Sequence, residues 1–385
     1  MRDVAIIGVG QTPVGEHWEK GIRDLAADAL ESVIADAGMR DPDAIEALYV
    51  GNAYGGSISS QSQIGALIAG SLLGGIEAIS TEAGEASGAA ALRLGYLAVA
   101  SGAVETALVL GVEKSTDMIG TARTRARGVS LDADYEAIHG GTLTATAAML
   151  MRRYMHEHGV ELSAFENFTI NAHANGANNP NAMFRNKIKP GGFARAPMVA
   201  EPVSLFDGAP DGDGAAAVIL TSAERAADLV PQPVRVVASA AATDTLALQD
   251  RADMLDLRAV RASVDKALVQ ASMTRDDIDL FELHDAYTVI AALTLEAAGF
   301  AARGEGWTLA RDNALGLAGA LPVSTFGGLK ARGNPMGATG IYQAVEAVLQ
   351  LRGVAGANQV ANARTALIQN LGGLGSTAIA HILTV

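Results

Sequence analysis

The chain has no cysteine, few aromatic residues and a shortage of positive charge. Without cysteine there is no disulfide framework, no thiolate metal site and no thiol nucleophile. Its 28 Lys and Arg stand against 42 Asp and Glu, a formal net charge of −14. That balance argues against nucleic acid as a partner, since phosphate backbones demand a basic surface. No uninterrupted apolar run reaches the roughly 18 residues of a membrane span. The opening residues, Arg2-Asp3-Val4-Ala5-Ile6-Ile7-Gly8, read directly into a strand rather than a secretory signal. A cytoplasmic protein with no membrane partner is the expectation.

Several chemistry-bearing motifs are also missing: a Walker loop, a Gly-x-Ser-x-Gly elbow and a His-Glu-x-x-His pair. Gly8-Val9-Gly10-Gln11-Thr12-Pro13 starts like a dinucleotide fingerprint, but the third glycine is absent and Pro13 disturbs the helix start such a motif requires. It reads as a strand-ending turn. His156 and His158 have no third ligand beside them, so no metal site is expected.

What the chain does have is length, apolarity and repetition. Its 385 residues exceed one compact domain. An early helix over 24–37, an acidic turn and a strand ending at Val50 reappear as a helix over 259–273, an acidic turn and a strand ending at Leu283. Ala86-Ser87-Gly88 opens a helix followed by the strand Thr106-Ala107-Leu108-Val109-Leu110-Gly111. Ala338-Thr339-Gly340 opens another, followed by Thr365-Ala366-Leu367-Ile368-Gln369-Asn370. The strands 4–8 and 234–238 pair in the same way. Two α/β halves follow, 1–229 and 230–385, with a long unmatched insertion at about 115–200 in the first.

The helix after Gly88 is apolar almost all round and must be covered on every side. Packing it against its counterpart between two sheets gives a five-layer αβαβα sandwich. Strand–helix alternation predicts mainly parallel sheets with right-handed crossovers. Basic residues collect in the insertion: Arg123, Arg125, Arg127, Arg152, Arg153, Arg185, Lys187, Lys189 and Arg195. They suit either solvated loops or a cradle for a phosphate-bearing small molecule.

Four stretches carry a family resemblance: Thr81-Glu82-Ala83-Gly84-Glu85-Ala86-Ser87-Gly88, Glu282-Leu283-His284-Asp285-Ala286-Tyr287-Thr288, Gly327-Gly328-Leu329-Lys330-Ala331-Arg332-Gly333-Asn334-Pro335-Met336-Gly337-Ala338-Thr339-Gly340, and Gln369-Asn370-Leu371-Gly372-Gly373-Leu374-Gly375-Ser376. In order and character they resemble the active-site blocks of the thiolase superfamily, in its sterol-carrier-protein and archaeal branch. Asp213-Gly214-Ala215-Ala216-Ala217-Val218 is similar to a further block of the family. The resemblance spans the whole chain. It implies the thiolase fold, acyl-CoA substrates that bring coenzyme A with them, no tightly bound cofactor, and a homodimer whose acyl specificity resides in the insertion.

The chain departs from the family in its chemistry. Glu85 stands where the family has its nucleophilic cysteine, and Asn334 stands where a catalytic histidine usually precedes the proline. His284 is retained. A covalent acyl-cysteine is therefore excluded. The resemblance places His284 and Asn334 at the hole that holds a thioester enolate, where a preorganised donor contributes about 3–4 kcal/mol. The helix N-terminus favours a Glu85 carboxylate and burial opposes it, so a general base working near neutrality is the expectation. A base facing an enolate hole suits retro-aldol cleavage of a β-hydroxyacyl-CoA.

Steroid side-chain aldolases of this superfamily resemble that arrangement and work with a small zinc-ribbon and OB-fold partner, but they carry tyrosines at the positions of His284 and Asn334. Tyr287 and Tyr342 lie nearby in this sequence and read first as core packing. Blander roles stand beside these: Glu85 as a helix cap, His284 as a core histidine, Asn334 as a turn residue. Two other functions stay open, a non-catalytic subunit of an acyl-CoA complex and an acyltransferase that needs no cysteine.

Overall fold

The computed structural model describes residues 2–385. Its strands are β1 (Val4–Gln11), β2 (Ala47–Gly51), β3 (Glu77–Thr81), β4 (Thr106–Glu113), β5 (Met198–Ala200), β6 (Val203–Ser204), β7 (Gly214–Ser222), β8 (Val234–Thr243), β9 (Leu280–Glu282), β10 (Thr365–Gly372) and β11 (Thr377–Thr384). Nine of them form one continuous hydrogen-bonded sheet in the order β3-β2-β4-β7-β1-β8-β11-β10-β9, while β5 and β6 form a separate hairpin. The first half supplies the five strands β3 to β1 and the second half supplies the other four. Only Val4, Ala5 and Ile6 of β1 pair across to β8.

Side-chain alternation explains why such apolar strands form. Along β1, Val4 and Ile6 point into a core between the halves, whereas Ala5 and Ile7 point to the opposite core. A strand buried on both faces has no polar side to display. The outer core of the first half packs under the helix Ile22–Asp36 through Leu25, Ala26, Ala29 and Val33. That of the second half packs under Arg258–Ala271 through Val260, Val264 and Leu268.

Between the halves lie the helices Ser87–Ser101 and Thr339–Leu351, which share one core with strands from both sides. Their first turns nearly touch. A Cβ on Gly88 would sit 2.8 Å from the Gly337 carbonyl oxygen, and one on Gly340 would sit 2.4 Å from the Ala89 nitrogen. The Ser-Gly and Thr-Gly openings are thus requirements of close approach. All five matched pairs of elements are present, and the layering is helix, half-sheet, helix, half-sheet, helix, the two half-sheets being continuous where β1 meets β8.

The expectation of mainly parallel sheets is corrected. Of the eight strand pairs in the large sheet, three are parallel and five antiparallel. Helical crossovers serve only β2, β3 and β4 in one half and β9 and β10 in the other. The link from β10 to β11 is a short glycine turn, with Gly373 at φ 58° and Gly375 at φ 91°, too short for anything but a hairpin.

The 115–200 stretch folds as the helices Gly120–Arg127, Leu143–His158 and Glu166–Gly176 with connecting turns. The Thr142 hydroxyl caps the second of these by accepting from the Ala145 N–H at 3.1 Å. Leu150, Met151 and Tyr154 of that helix join the core that also holds Leu293 of the helix Thr288–Ala297.

Candidate active site

Glu85 sits in the short turn between β3 and the Ser87–Ser101 helix. Gly84 adopts φ 59°, where a Cβ would lie 3.2 Å from the Gly372 backbone. The Ser87 hydroxyl closes the turn, accepting from the Ala83 N–H at 3.0 Å and donating to the Gly84 carbonyl at 2.5 Å. No side chain of the described residues caps the helix itself, and the Glu85 carboxylate points across the interface between the halves. Among the described residues its partners are side chains: Arg127, Asn334, His284 and Tyr54. It does not cap the helix.

The structure brings Glu85, His284 and Asn334 together. Asn334 follows Gly333, whose φ of 105° creates the bend. Its Oδ1 accepts from the Met336 N–H at 3.0 Å and from the Thr339 hydroxyl at 3.0 Å. The amide is thereby held with Nδ2 outward, donating to Glu85 Oε2 at 3.0 Å. His284 leaves the end of β9 and places Nε2 3.5 Å from the same oxygen. On its other side the Asn370 amide lies 3.0 Å from His284 Nδ1. With Asn370 donating there, the ring proton belongs on Nε2, facing Glu85. Two donors from the second half converge on one carboxylate oxygen from the first.

The other oxygen meets Arg127, whose Nη2 lies 2.6 Å from Glu85 Oε1. The opposite edge of that guanidinium binds Asp211, which also receives Arg123 Nε at 3.1 Å. Arg123 and Arg127 are four residues apart on one helix, a spacing that puts both on one face. Burial by itself pushes the Glu85 carboxyl up, but the Arg127 charge and the hydrogen bonds from His284 and Asn334 outweigh it and hold the group well below the usual carboxylate range. The expectation of a base balanced near neutrality is corrected: the deciding charge is that of Arg127, which nothing in sequence ties to Glu85.

A cavity of about 650 Å³ opens beside this cluster. Arg127, Asp211 and Tyr287 form part of its wall, together with Lys187, Lys189 and Arg195 and an apolar lining that includes Leu143, Val203 and Phe206. Its size is that of an ordinary small-molecule site. Glu85, His284 and Asn334 lie behind the Arg127–Asp211 pair rather than on the wall. The basic stretch thus divides: Arg123 and Arg127 pair with carboxylates, Lys187, Lys189 and Arg195 face the cavity, and Arg152 and Arg153 are exposed on the Leu143–His158 helix.

The two tyrosines divide as well. Tyr342 is buried, and its hydroxyl donates to the Thr12 carbonyl at 3.0 Å, a packing role with a satisfied polar tip. Tyr287 lines the cavity with its hydroxyl 2.9 Å from the Thr144 hydroxyl, so it is more than packing. Tyr54 and Asp211 carry no signal in the sequence, and Asn370, although it stands in one of the family-like blocks, has no role assigned to it there. Each is an ordinary polar residue whose partner lies far along the chain.

Residues 4–196 match the thiolase N-terminal domain family model, and residues 240–385 match the thiolase C-terminal domain-like model. The chain is 42% identical over 385 residues to an acetyl-CoA acetyltransferase of Methanothermobacter thermautotrophicus, covering 100% of both chains. It is 29% identical over 378 residues to the 17-hydroxy-3-oxo-4-pregnene-20-carboxyl-CoA lyase of Mycobacterium tuberculosis, covering 94% of this chain and 95% of that one. Among solved structures, the Ltp2-ChsH2(DUF35) aldolase superposes with a TM-score of 0.85 at 24% identity, covering 100% of this chain and 98% of that one.

Proposed function

The chain belongs to the thiolase family, and from that premise we propose that it cleaves a carbon–carbon bond of a β-hydroxyacyl-CoA by a retro-aldol reaction that needs no acyl-cysteine. The observation that carries this reading is the convergence of His284 Nε2 and Asn334 Nδ2 on Glu85 Oε2. Two preorganised donors aimed at one anionic oxygen are what a thioester enolate requires. In the resting site that oxygen is Glu85's own.

Seating a thioester carbonyl between His284 and Asn334 displaces the carboxylate from both donors. Each hydrogen bond lost raises the proton affinity of Glu85, so the substrate itself turns a poor base into a better one. Glu85 then takes the β-hydroxyl proton, the O–H electron pair forms the new carbonyl, and the Cα–Cβ bond breaks. Its electrons pass into the thioester as an enolate held by His284 and Asn334. The proton returns from Glu85 to Cα, giving an aldehyde or ketone and a shortened acyl-CoA. Lys187, Lys189 and Arg195 on the cavity wall suit the coenzyme A phosphates. The lyase of Mycobacterium tuberculosis lends support as a relative named for this class of reaction. A homodimer and a small zinc-ribbon and OB-fold partner belong to the same proposal and are checked by co-purification.

A second reading, a non-catalytic subunit, is favoured by the Glu85–Arg127 ion pair, which keeps the would-be base charged and the donors occupied. An acyltransferase acting by direct transfer accords with the name of the Methanothermobacter relative. One experiment separates the three. The protein and its Glu85→Gln variant are incubated with β-hydroxyacyl-CoA and β-ketoacyl-CoA panels and followed by mass spectrometry. Release of a carbonyl product and a shortened acyl-CoA by the parent alone supports the lyase. CoA-dependent cleavage of a ketoacyl ester identifies an acyltransferase. Silence across the panel with coenzyme A binding retained identifies the subunit.

A further inference from the structure

The cavity wall holds one more group that the lyase chemistry does not use. Lys330 is 2% exposed and lines the cavity from the short helix Gly328–Ala331. Its ammonium position is set by the backbone: Gly327 and Gly328 take φ 106° and 54°, and a Cβ on Gly328 would lie 2.4 Å from Asp285 Oδ2. Nζ donates to the Asp207 carbonyl oxygen.

A second buried lysine shows what is missing. Lys114, 5% exposed, holds Asp117 at 2.6 Å and Asp213 at 2.7 Å, two carboxylates for one charge. Among the described residues no carboxylate comes within 4.0 Å of Lys330 Nζ, in contrast to the Lys114 pairs. The nearby acids are engaged elsewhere. Asp207 Oδ2 accepts from the Ser204 N–H and hydroxyl, each at 2.8 Å, its Oδ1 accepts from the Thr288 hydroxyl, and Asp285 accepts from the Leu329 N–H at 2.8 Å. A buried amine with spare hydrogen-bonding capacity and no ion pair beside an apolar cavity has little reason to be a structural cation.

We infer that Lys330 is a carbonyl-capturing amine, which takes an apolar aldehyde or ketone in this cavity as an imine. Its nitrogen lone pair adds to the carbonyl carbon, and loss of water gives C=N, the carbonyl oxygen leaving with both amine hydrogens. Burial pushes the amine down to about 8 against the pull of Asp285 and Asp207, so a substantial fraction is neutral and nucleophilic near that pH. The wall around it, with Leu143, Val203 and Phe206, accepts an apolar body, and Tyr287 on the same wall offers a hydroxyl to the departing oxygen. Capture requires only the cavity and the amine. It goes beyond the lyase reading, although the carbonyl product of a retro-aldol cleavage is a member of the class captured.

The test is reductive trapping of the full-length protein at pH 8 with octanal or cyclohexanone and borohydride, followed by peptide mass spectrometry. A lysine lowered to this degree is neutral about a hundredfold more often than an exposed one at that pH. Lys330 should therefore be alkylated roughly tenfold or more faster than Lys187 and Lys189 on the same cavity. Lys330→Arg should keep the fold by circular dichroism and lose the adduct. Because the modified residue is located directly in the parent protein, the test stands even if the variant fails to fold. Labelling of Lys187 and Lys189 at equal or greater rates overturns the inference. Trapping at Lys330 in a protein that cleaves no acyl-CoA leaves it standing while the lyase reading falls, and cleavage without trapping does the reverse.

Discussion

Glu85 and Glu113 are two buried carboxylates on either side of one residue, and their surroundings drive them in opposite directions. Tyr54 touches both, its hydroxyl 3.5 Å from Glu85 and its N–H 3.1 Å from Glu113. Burial pushes both up. Glu85 has the Arg127 charge and falls well below the usual range. Glu113 has only neutral donors, the N–H groups of Ala53, Tyr54 and Gly337 at 2.8, 3.1 and 3.0 Å and the Asn52 amide at 2.9 Å. Those do not offset burial and the nearby Glu85 charge, and the group is pushed up to about 7. A full charge at contact outweighs several dipoles. Function follows the division: Glu113 ties the Asn52–Tyr54 segment to Gly337 beneath the site, and Glu85 confronts the donors.

Removing the charge that separates the two should have the largest effect. Arg127→Met leaves Glu85 buried without its cation, a loss of about 3–5 kcal/mol in urea-unfolding free energy. Adding Glu85→Gln should recover much of it. A single variant as stable as the parent would show that Arg127 does not govern Glu85.

Glu113→Gln comes next. One carboxylate oxygen becomes a donor facing donors, which costs about 1–3 kcal/mol in the same measurement. The pH dependence sharpens the contrast. Between its unfolded value of 4.5 and about 7, folded Glu113 holds a proton that the unfolded chain has released, so its contribution to stability falls as pH rises through that window. Glu85 does the opposite. Its contribution is complete above 4.5 and is lost as pH falls toward its depressed folded value. Glu346, pushed up to about 8, and His381, pushed down to about 4, also set the background of unfolding free energy from pH 4.5 to 7.5. Measured against the parent over that range, Glu113→Gln should remove a downward part of the slope that Glu85→Gln only lessens, by taking away the charge beside Glu113.

The smallest expected effect is at the Asn334 support. Thr339→Val removes one of the two hydrogen bonds that hold the Asn334 amide, costing about 0.5–1.5 kcal/mol in thermal unfolding. An unchanged melting temperature would mean that the Met336 N–H alone fixes the amide.

Much of this was legible in the sequence. The repeat showed because each half needs the same apolar alternation and the same small residues where the central helices meet, as at Gly88 and Gly340. Glu85, His284 and Asn334 stood out because they sit in blocks of recognisable order. Strand direction was not legible. The alternation of strand and helix is silent about a returning strand such as β7, which follows the insertion and lies antiparallel between β4 and β1. Lys330 belongs to the 327–340 block, but a lysine in a sequence does not announce that it lacks a carboxylate.

By itself the sequence determined that no acyl-cysteine can form, that two similar α/β halves pack about close central helices, and that an acid, a histidine and an asparagine occupy the key blocks. The first two follow from residue type and local periodicity, and the third from the resemblance of those blocks to the family's. Only the tertiary structure decided that Glu85 is a charged, occupied anion. Its charge depends on Arg127, 42 residues away, and its donors on Asn334, 249 residues away, brought within 3.0 Å by the meeting of the halves. Electrostatic interaction falls with distance through space and burial amplifies it, and neither quantity can be read along a chain.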